Sequence, residues 1–201
     1  YLIQELRESP EYTWDSMLII KNPFSLTPLC AYAIFTTDSK YYCRYVVKGK
    51  EPQTDYKAQI EITRHHCVPI MGLYADCDNE IRLELTNQAG DIVKRKKLVI
   101  KTEPLVEELI DAVYTQKKEP ESADDFLLIA GGKNMYTCAI DSQADIRYYI
   151  SAMANEYGIS PLRNGHLLFL ERDIATPSYT KPQGVMMYDM DYMGRVHKTY
   201  Y

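Results

Sequence analysis

The stretch Arg64 to Leu85, RHHCVPIMGLYADCDNEIRLEL, decides the fold. It reads as a loop leading into a short apolar strand, Val68-Pro69-Ile70-Met71, then a glycine corner at Gly72 and a polar turn, Asp76-Cys77-Asp78-Asn79. That turn feeds a segment in which Ile81, Leu83 and Leu85 alternate strictly with Arg82, Glu84 and Thr86. A period of two places alternate side chains on opposite faces, so this is a half-buried strand.

Working outward, the same signature recurs. Tyr56, Ala58, Ile60 and Ile62 face one way, with Lys57, Gln59 and Glu61 the other. Met17 to Ile20 is a short apolar strand. Leu29 to Thr37 is apolar on both faces at its centre, which predicts a central strand. Tyr41 to Lys48 follows the turn Asp38-Ser39-Lys40, and Ile92 to Lys101 follows the hairpin turn Asn87 to Asp91. Residues 1–13 are polar and read as a lead-in. Six or seven strands in about a hundred residues, with regular turns, predict a β-sandwich of immunoglobulin or fibronectin type over residues 1–103.

Residues 104–125 change character. Pro104 opens a segment with Leu105, Val106, Leu109, Ile110 and Val113 at helical spacing, and Glu107 and Glu108 lie near its front. Proline in the first turn and carboxylates facing the helix dipole suit a helix start. Lys117 to Ser122 is a polar, proline-containing linker, and a domain boundary belongs here. Strands resume at Phe126–Ala130, Met135–Ile140 and Ile146–Ile150, then at His166–Glu171, Val185–Asp189 and Arg195–Tyr200. Asp141 and Asp191 hold equivalent places 50 residues apart, each followed by three residues, one of them small, and then by a charged residue and a β-branched one. A repeat of that period in short antiparallel strands predicts β-propeller blades over 126–201.

Composition narrows the function. The 201 residues carry 23 basic and 28 acidic side chains, net −5, which argues against a phosphate-neutralising surface and hence against nucleic acid as a partner. The basic run Lys94-Arg95-Lys96-Lys97 is either an anion patch or, the favoured reading, a solvated edge strand protected by lysine. Eighteen tyrosines beside four phenylalanines and one tryptophan favour β structure. No apolar stretch is long enough for a membrane span. No signal peptide is visible, but the chain opens at Tyr1, so a processed or trimmed start is expected. Five cysteines show no C-x-x-C spacing and leave at least one thiol free; Cys30 and Cys43 read as core residues, and Cys67 and Cys77 could pair across the glycine corner.

Two phrases, Asn22-Pro23-Phe24-Ser25-Leu26-Thr27-Pro28-Leu29 and the RH…PI.GLYAD.DN corner of residues 64–85, resemble the N-terminal domain of the bacterial arylsulfate sulfotransferases. The second half resembles the family's opening blades. Asp141 with Ile146-Arg147-Tyr148-Tyr149, Leu162 to Phe169, and Tyr188 to Val196 carry this likeness. The resemblance implies a β-sandwich ahead of a six-bladed propeller. It implies transfer of a sulfuryl group from a phenolic sulfate ester to a phenol acceptor through a sulfohistidine, without a nucleotide sulfate donor and with no cofactor. It further implies a periplasmic, secreted or cell-surface location and a possible homodimer. The family's catalytic positions are expected beyond Tyr201, so the 201 residues alone are expected to be inactive. A neutral imidazole is a competent nucleophile near pH 7, and charge on sulfate oxygens needs fixed donors, so the chemistry is sound.

Four histidines are candidates within the chain. His166, in N-G-H-L, and His197, in RVHKTY, are weak catalytic candidates, each more readily a polar strand residue. His65 and His66 belong to the sandwich and read as hydrogen-bonded corner residues; a zinc site of His65, His66, Cys67 and Cys77 matches no usual spacing. Gly131-Gly132-Lys133 lacks the phosphate-loop frame. Asp76, Asp78 and Asn79 suggest a calcium loop but lack its glycine and terminal glutamate, so an Asx-capped turn is favoured and no metal site is expected. A reading of another class is a secreted binding or scaffold protein presenting a tyrosine-rich surface.

Overall fold

A computed structural model of the chain describes residues 2–110, 126–130, 136–171 and 186–200. The architecture is all-β apart from short helical pieces. Five strands, β1 (Leu18–Lys21), β2 (Ala31–Val47), β3 (Tyr56–Ile70), β4 (Asp78–Thr86) and β5 (Ile92–Lys101), form the first unit. All pairings are antiparallel, and β2 is central, pairing with β1, β3 and β4. Leu29–Thr37 was expected to be central because its centre is apolar on both faces, and Ala33, Ile34 and Phe35 are indeed fully buried.

The strand count is corrected. The expected breaks at Asp38-Ser39-Lys40 and around Arg64 are not strand ends; β2 and β3 run through them as one long antiparallel pair whose register shifts between Thr36 and Cys43. Bulges bend a strand and re-aim its side chains without ending it. The first half of β2 pairs with β1 and the far end of β3, and the second half with the start of β3 and β4. Ala31, Ala33 and Phe35 from one half, and Cys43, Tyr45 and Val47 from the other, share one core with Val68, Ile70, Ile81, Leu83, Leu85 and Ile100.

Two further differences concern helices. The polar lead-in contains α1 (Leu2–Glu8), docked on β3 by Arg7 Nε donating to the His65 carbonyl at 2.7 Å. Seven residues are too few to hold a helix in water, so docking sustains it. The helix anticipated after Pro104 is described as α2 (Glu107–Ile110), with Leu109 buried in the sandwich core. The linker 117–122 and the Gly131-Gly132-Lys133 phrase lie outside the described residues.

The second half is a six-stranded antiparallel meander in sequential order: β6 (Leu127–Ile129), β7 (Tyr136–Ile140), β8 (Ile146–Pro161), β9 (Leu167–Glu171), β10 (Met186–Met190) and β11 (Val196–Tyr200). β8 is longer than expected. Its first part pairs with β7 and its last part with β9, so it belongs to both repeats. The 50-residue period is visible in atomic detail. Asp141 N donates to the Asp145 carbonyl and Ala144 N to that of Asp141; Asp191 N donates to the Arg195 carbonyl and Gly194 N to that of Asp191, all at 2.9–3.0 Å. Both aspartates accept backbone N–H bonds on Oδ1, from Gln143 and Asp145 in one turn and Met193 and Arg195 in the other. This is the three-residue hairpin loop whose last residue takes positive φ. Gly194 supplies that at +86°, but Ala144 holds +64° without glycine's freedom. Ala144→Gly should therefore stabilise the chain by about 0.5–1 kcal/mol, read as a higher urea midpoint at unchanged m-value.

The layers follow from alternation. Cys138 and Tyr149 pack into the sandwich core, while Ala139, Tyr148 and Ile150 on the opposite face of the same strands join Leu167, Phe169 and Met190 of the second repeat. The first repeat is thus covered on both faces.

Candidate functional site: an arginine clamp and a paired-histidine cluster

The two phrases singled out in the sequence are where the halves of the chain meet. In the Asn22–Pro28 loop, Thr27 Oγ1 donates to the Met193 carbonyl at 2.7 Å and Ser151 N to the Leu26 carbonyl at 2.9 Å. Phe24 and Leu26 pack against the core of the second repeat. At the Gly72 corner, Phe126 stacks on Tyr56 with ring centroids 4.9 Å apart.

The corner also holds the most demanding group in the molecule. Arg147 is fully buried, at the bulge between β7 and β8. Its Nε donates to the Gly72 carbonyl at 2.8 Å; its Nη1 reaches the Thr54 carbonyl at 2.9 Å, the Tyr74 hydroxyl at 2.9 Å and Asp141 Oδ2 at 2.8 Å. The guanidinium lies 3.8 Å over the Tyr74 ring. Tyr74 in turn donates to Asp141 Oδ2 at 3.2 Å, and burial raises its hydroxyl pKa. On the outer side of that ring Lys50 Nζ sits 5.1 Å from the centroid and pairs with Asp145 at 2.6 Å, an interaction that raises the lysine pKa. Two cations, two carboxylates and a tyrosine therefore tie the sandwich to the first repeat. Arginine suits the position because its planar fork engages several acceptors at once while stacking on an aromatic face. Nη2 has no partner among the described residues. A buried, partnered ion pair is weak evidence for net stability but strong evidence for a specified geometry.

The repeat gives this clamp a counterpart. Fifty residues on from Asp141 and Arg147 stand Asp191 and His197, and His197 Nε2 lies 3.2 Å from Asp191 Oδ2. Here the basic group is not covered by the sandwich. Its ring stacks on His166 at 4.3 Å between centroids, and His166 Nδ1 lies 2.6 Å from Asp189 Oδ1 and 3.1 Å from Asn164 Nδ2. The structure thus brings together the two weak catalytic candidates, His166 and His197, each oriented by its own carboxylate. The Asp189 contact through Nδ1 leaves Nε2 of His166 as its available nitrogen, whereas the Asp191 contact through Nε2 leaves Nδ1 of His197. Both rings are partly exposed, at 25 % and 33 % of side-chain area.

The remaining candidates are placed individually. His66 is buried in the core, stacked on Phe35 at 4.5 Å, whereas His65 is exposed, so the pair does not converge with Cys67 and Cys77 on a zinc ion. Among the described residues no group of His, Cys, Asp and Glu is arranged to hold a metal. Cys67 and Cys77 are both free thiols and do not pair with each other. In the would-be calcium loop, the Asn79 side chain is turned inward: Oδ1 accepts from Tyr74 N at 2.7 Å and Nδ2 donates to the Tyr74 carbonyl at 3.0 Å. That is the Asx-capped turn. The basic run 94–97 lies on β5, paired only with β4, where Arg95 meets Glu84 and Lys97 meets Glu80. It is the protected edge strand.

The fold and the clamp define a class: an all-β chain in which an immunoglobulin-like domain packs against repeating antiparallel sheet. Residues 18–103 match the family described as the arylsulfotransferase Ig-like domain. None of the curated proteins matches the chain.

Proposed function

We propose that the chain is the N-terminal part of an arylsulfate sulfotransferase, with the immunoglobulin-like domain over residues 1–103, a connecting segment over 104–125 and the first blades of a β-propeller over 126–201. In this reading the enzyme moves a sulfuryl group from a phenolic sulfate ester to a phenol through a sulfohistidine, on the exported side of a bacterial cell and as a possible homodimer. The carrying observation is that the family-matched domain runs directly into a 50-residue repeat. The packing of that repeat supports blades. The first repeat presents Ala139, Tyr148 and Ile150 to the second; their equivalents 50 residues on, Asp189, Lys198 and Tyr200, lie on the face of the second repeat turned away from the first. A further sheet seated there would continue the series in the radial manner of a propeller.

His66 is buried and stacked on Phe35, and His166 and His197 are each paired with an aspartate and stacked on one another, so the sulfuryl-carrying histidine is assigned in this reading to blades outside these residues. The test is a transfer assay with a chromogenic aryl sulfate and a phenol acceptor, run on this 201-residue chain and on a longer parent. Chromogen release by the parent alone is expected. Turnover by the short chain, abolished by His166→Ala, would move the chemistry onto the His166–Asp189 pair. Failure of both would leave a binding or scaffold module.

A further inference from the structure

His66 is a titratable group placed where a cation has no counter-ion. It is fully buried; Nε2 lies 3.4 Å from Thr37 Oγ1, and Nδ1 has no partner among the described residues. On one side it stacks on Phe35, whose ring meets the edge of Trp14 at 5.3 Å. Above it lies the N-terminal strap. α1 is held to β3 by Arg7, the Tyr12 carbonyl accepts from Thr36 N at 2.7 Å, and Thr13 bridges to Thr36. The charged and titratable groups facing the ring are Arg7 from α1 and its neighbour His65 from β3, neither of them an acid; Cys67 lies further along β3, and Glu5 and Glu8 of α1 are exposed. No carboxylate pairs with His66 among the described residues.

We infer that His66 is an acid-sensitive latch: taking up a proton there loosens the strap, from α1 to Trp14, from β2 and β3 while the rest of the chain stays folded. Burial first, and the charges of Arg7 and His65 after it, lower the ring's pKa from its ordinary 6.5 to about 4. The docked strap therefore keeps His66 neutral, and the undocked ring binds the proton more readily. Docking is at full strength above pH 6.5 and weakens as pH falls from 6.5 towards 4. At pH 5 those two values correspond to at most about a 30-fold weaker docking equilibrium. This device stands independently of the sulfotransferase reading.

Trp14 is the only tryptophan and is buried, so its emission reports the strap directly. Emission, far-UV circular dichroism and protease cleavage near the N-terminus would be followed from pH 7.5 to 4 on the 201-residue chain. The expected result is a red shift with a midpoint between 4 and 6.5, and faster N-terminal cleavage over the same range, with the β-sheet dichroism retained and only the small helical contribution of α1 lost. His66→Phe keeps the stack on Phe35 but cannot titrate, and should abolish the shift. Arg7→Gln removes a repelling charge and lets the docked ring take up a proton more readily, so docking should weaken less than in the parent chain between pH 7.5 and 5. The bond it loses to the His65 carbonyl weakens docking equally at both pH values, which keeps the test decisive if His66→Phe does not fold. An emission that stays constant, a shift preserved in His66→Phe, an undiminished loss of docking in Arg7→Gln, or a collapse of the β-sheet dichroism in step with the shift would each overturn the latch.

Discussion

Replacing Arg147 by methionine is expected to destabilise the chain by about 3–5 kcal/mol, the largest single effect predicted for it. The methionine fills much the same volume and keeps contact with Tyr74 and Phe126. What it cannot do is balance Asp141, which is 6 % exposed and would remain as an uncompensated buried carboxylate. The Gly72 and Thr54 carbonyls would also lose their donors. Urea unfolding, with emission and circular dichroism compared, reads the loss. The cause is isolated by a second substitution. Asp141→Asn removes the charge but keeps an oxygen to accept from Gln143 N and Asp145 N, so the hairpin cap survives. If the buried charge dominates, the double variant should recover at least 1–2 kcal/mol of what Arg147→Met alone loses, a strongly non-additive cycle. Additive losses would assign the effect to lost packing and carbonyl bonds instead. Arg147→Lys should not restore stability, because an ammonium cannot engage the Gly72 carbonyl and Asp141 together while lying flat on Tyr74.

The clamp also marks the limit of what the chain discloses as a sequence. Alternation located the start of β3 and the Ile81–Thr86 part of β4, although β4 begins earlier, at Asp78, inside the expected turn. A sheet with one buried face writes its burial pattern directly into the residues, and Ile81, Leu83 and Leu85 are fully buried between more exposed neighbours. Where a strand is bulged, that code is interrupted although the strand is not. Asp38-Ser39-Lys40 and Arg64-His65 are exposed and polar, and so look like turns, yet they lie within β2 and β3. The paired aspartates of the repeat were legible from spacing alone, since a turn capped by its own first side chain needs the aspartate and its positive-φ residue at fixed offsets.

Arg147 was visible only as a constituent of the run Ile146-Arg147-Tyr148-Tyr149-Ile150. A lone charge between apolar residues signals either an exposed face or a buried partner, and only the fold chooses. The partners that choose, Thr54, Gly72 and Tyr74, lie more than seventy positions upstream, beyond the reach of any local pattern. The same holds for the meeting of His166 and His197 across β10. Their proximity depends on the register of β9, β10 and β11, and the register is set by the core residues Leu167, Phe169 and Met190 rather than by the histidines.

Gly72→Ala is the second large effect, expected at about 2–4 kcal/mol, and it separates two reasons for glycine at the corner. Gly72 has φ +77°, a conformation that costs an alanine about 1 kcal/mol. A Cβ there would also meet Phe126 Cζ at 2.9 Å and Tyr56 Cγ at 3.1 Å, the two stacked rings that join the second half of the chain to the sandwich. Neither ring can retreat cheaply: Tyr56 packs against the sandwich core and Phe126 against the core of the second repeat. Overpacking of this kind costs about 1–3 kcal/mol more. Gly90 supplies the control. Its φ is +89° and nothing lies within 4 Å of the added carbon, so Gly90→Ala carries the backbone strain alone. Urea midpoints should therefore fall markedly more for Gly72→Ala than for Gly90→Ala. Adding Phe126→Leu to Gly72→Ala should return part of the difference by clearing the ring that the methyl strikes. Equal losses at the two glycines would mean that the corner serves only its own turn, and that the rings stacked beside it do not set the fit between domain and repeat.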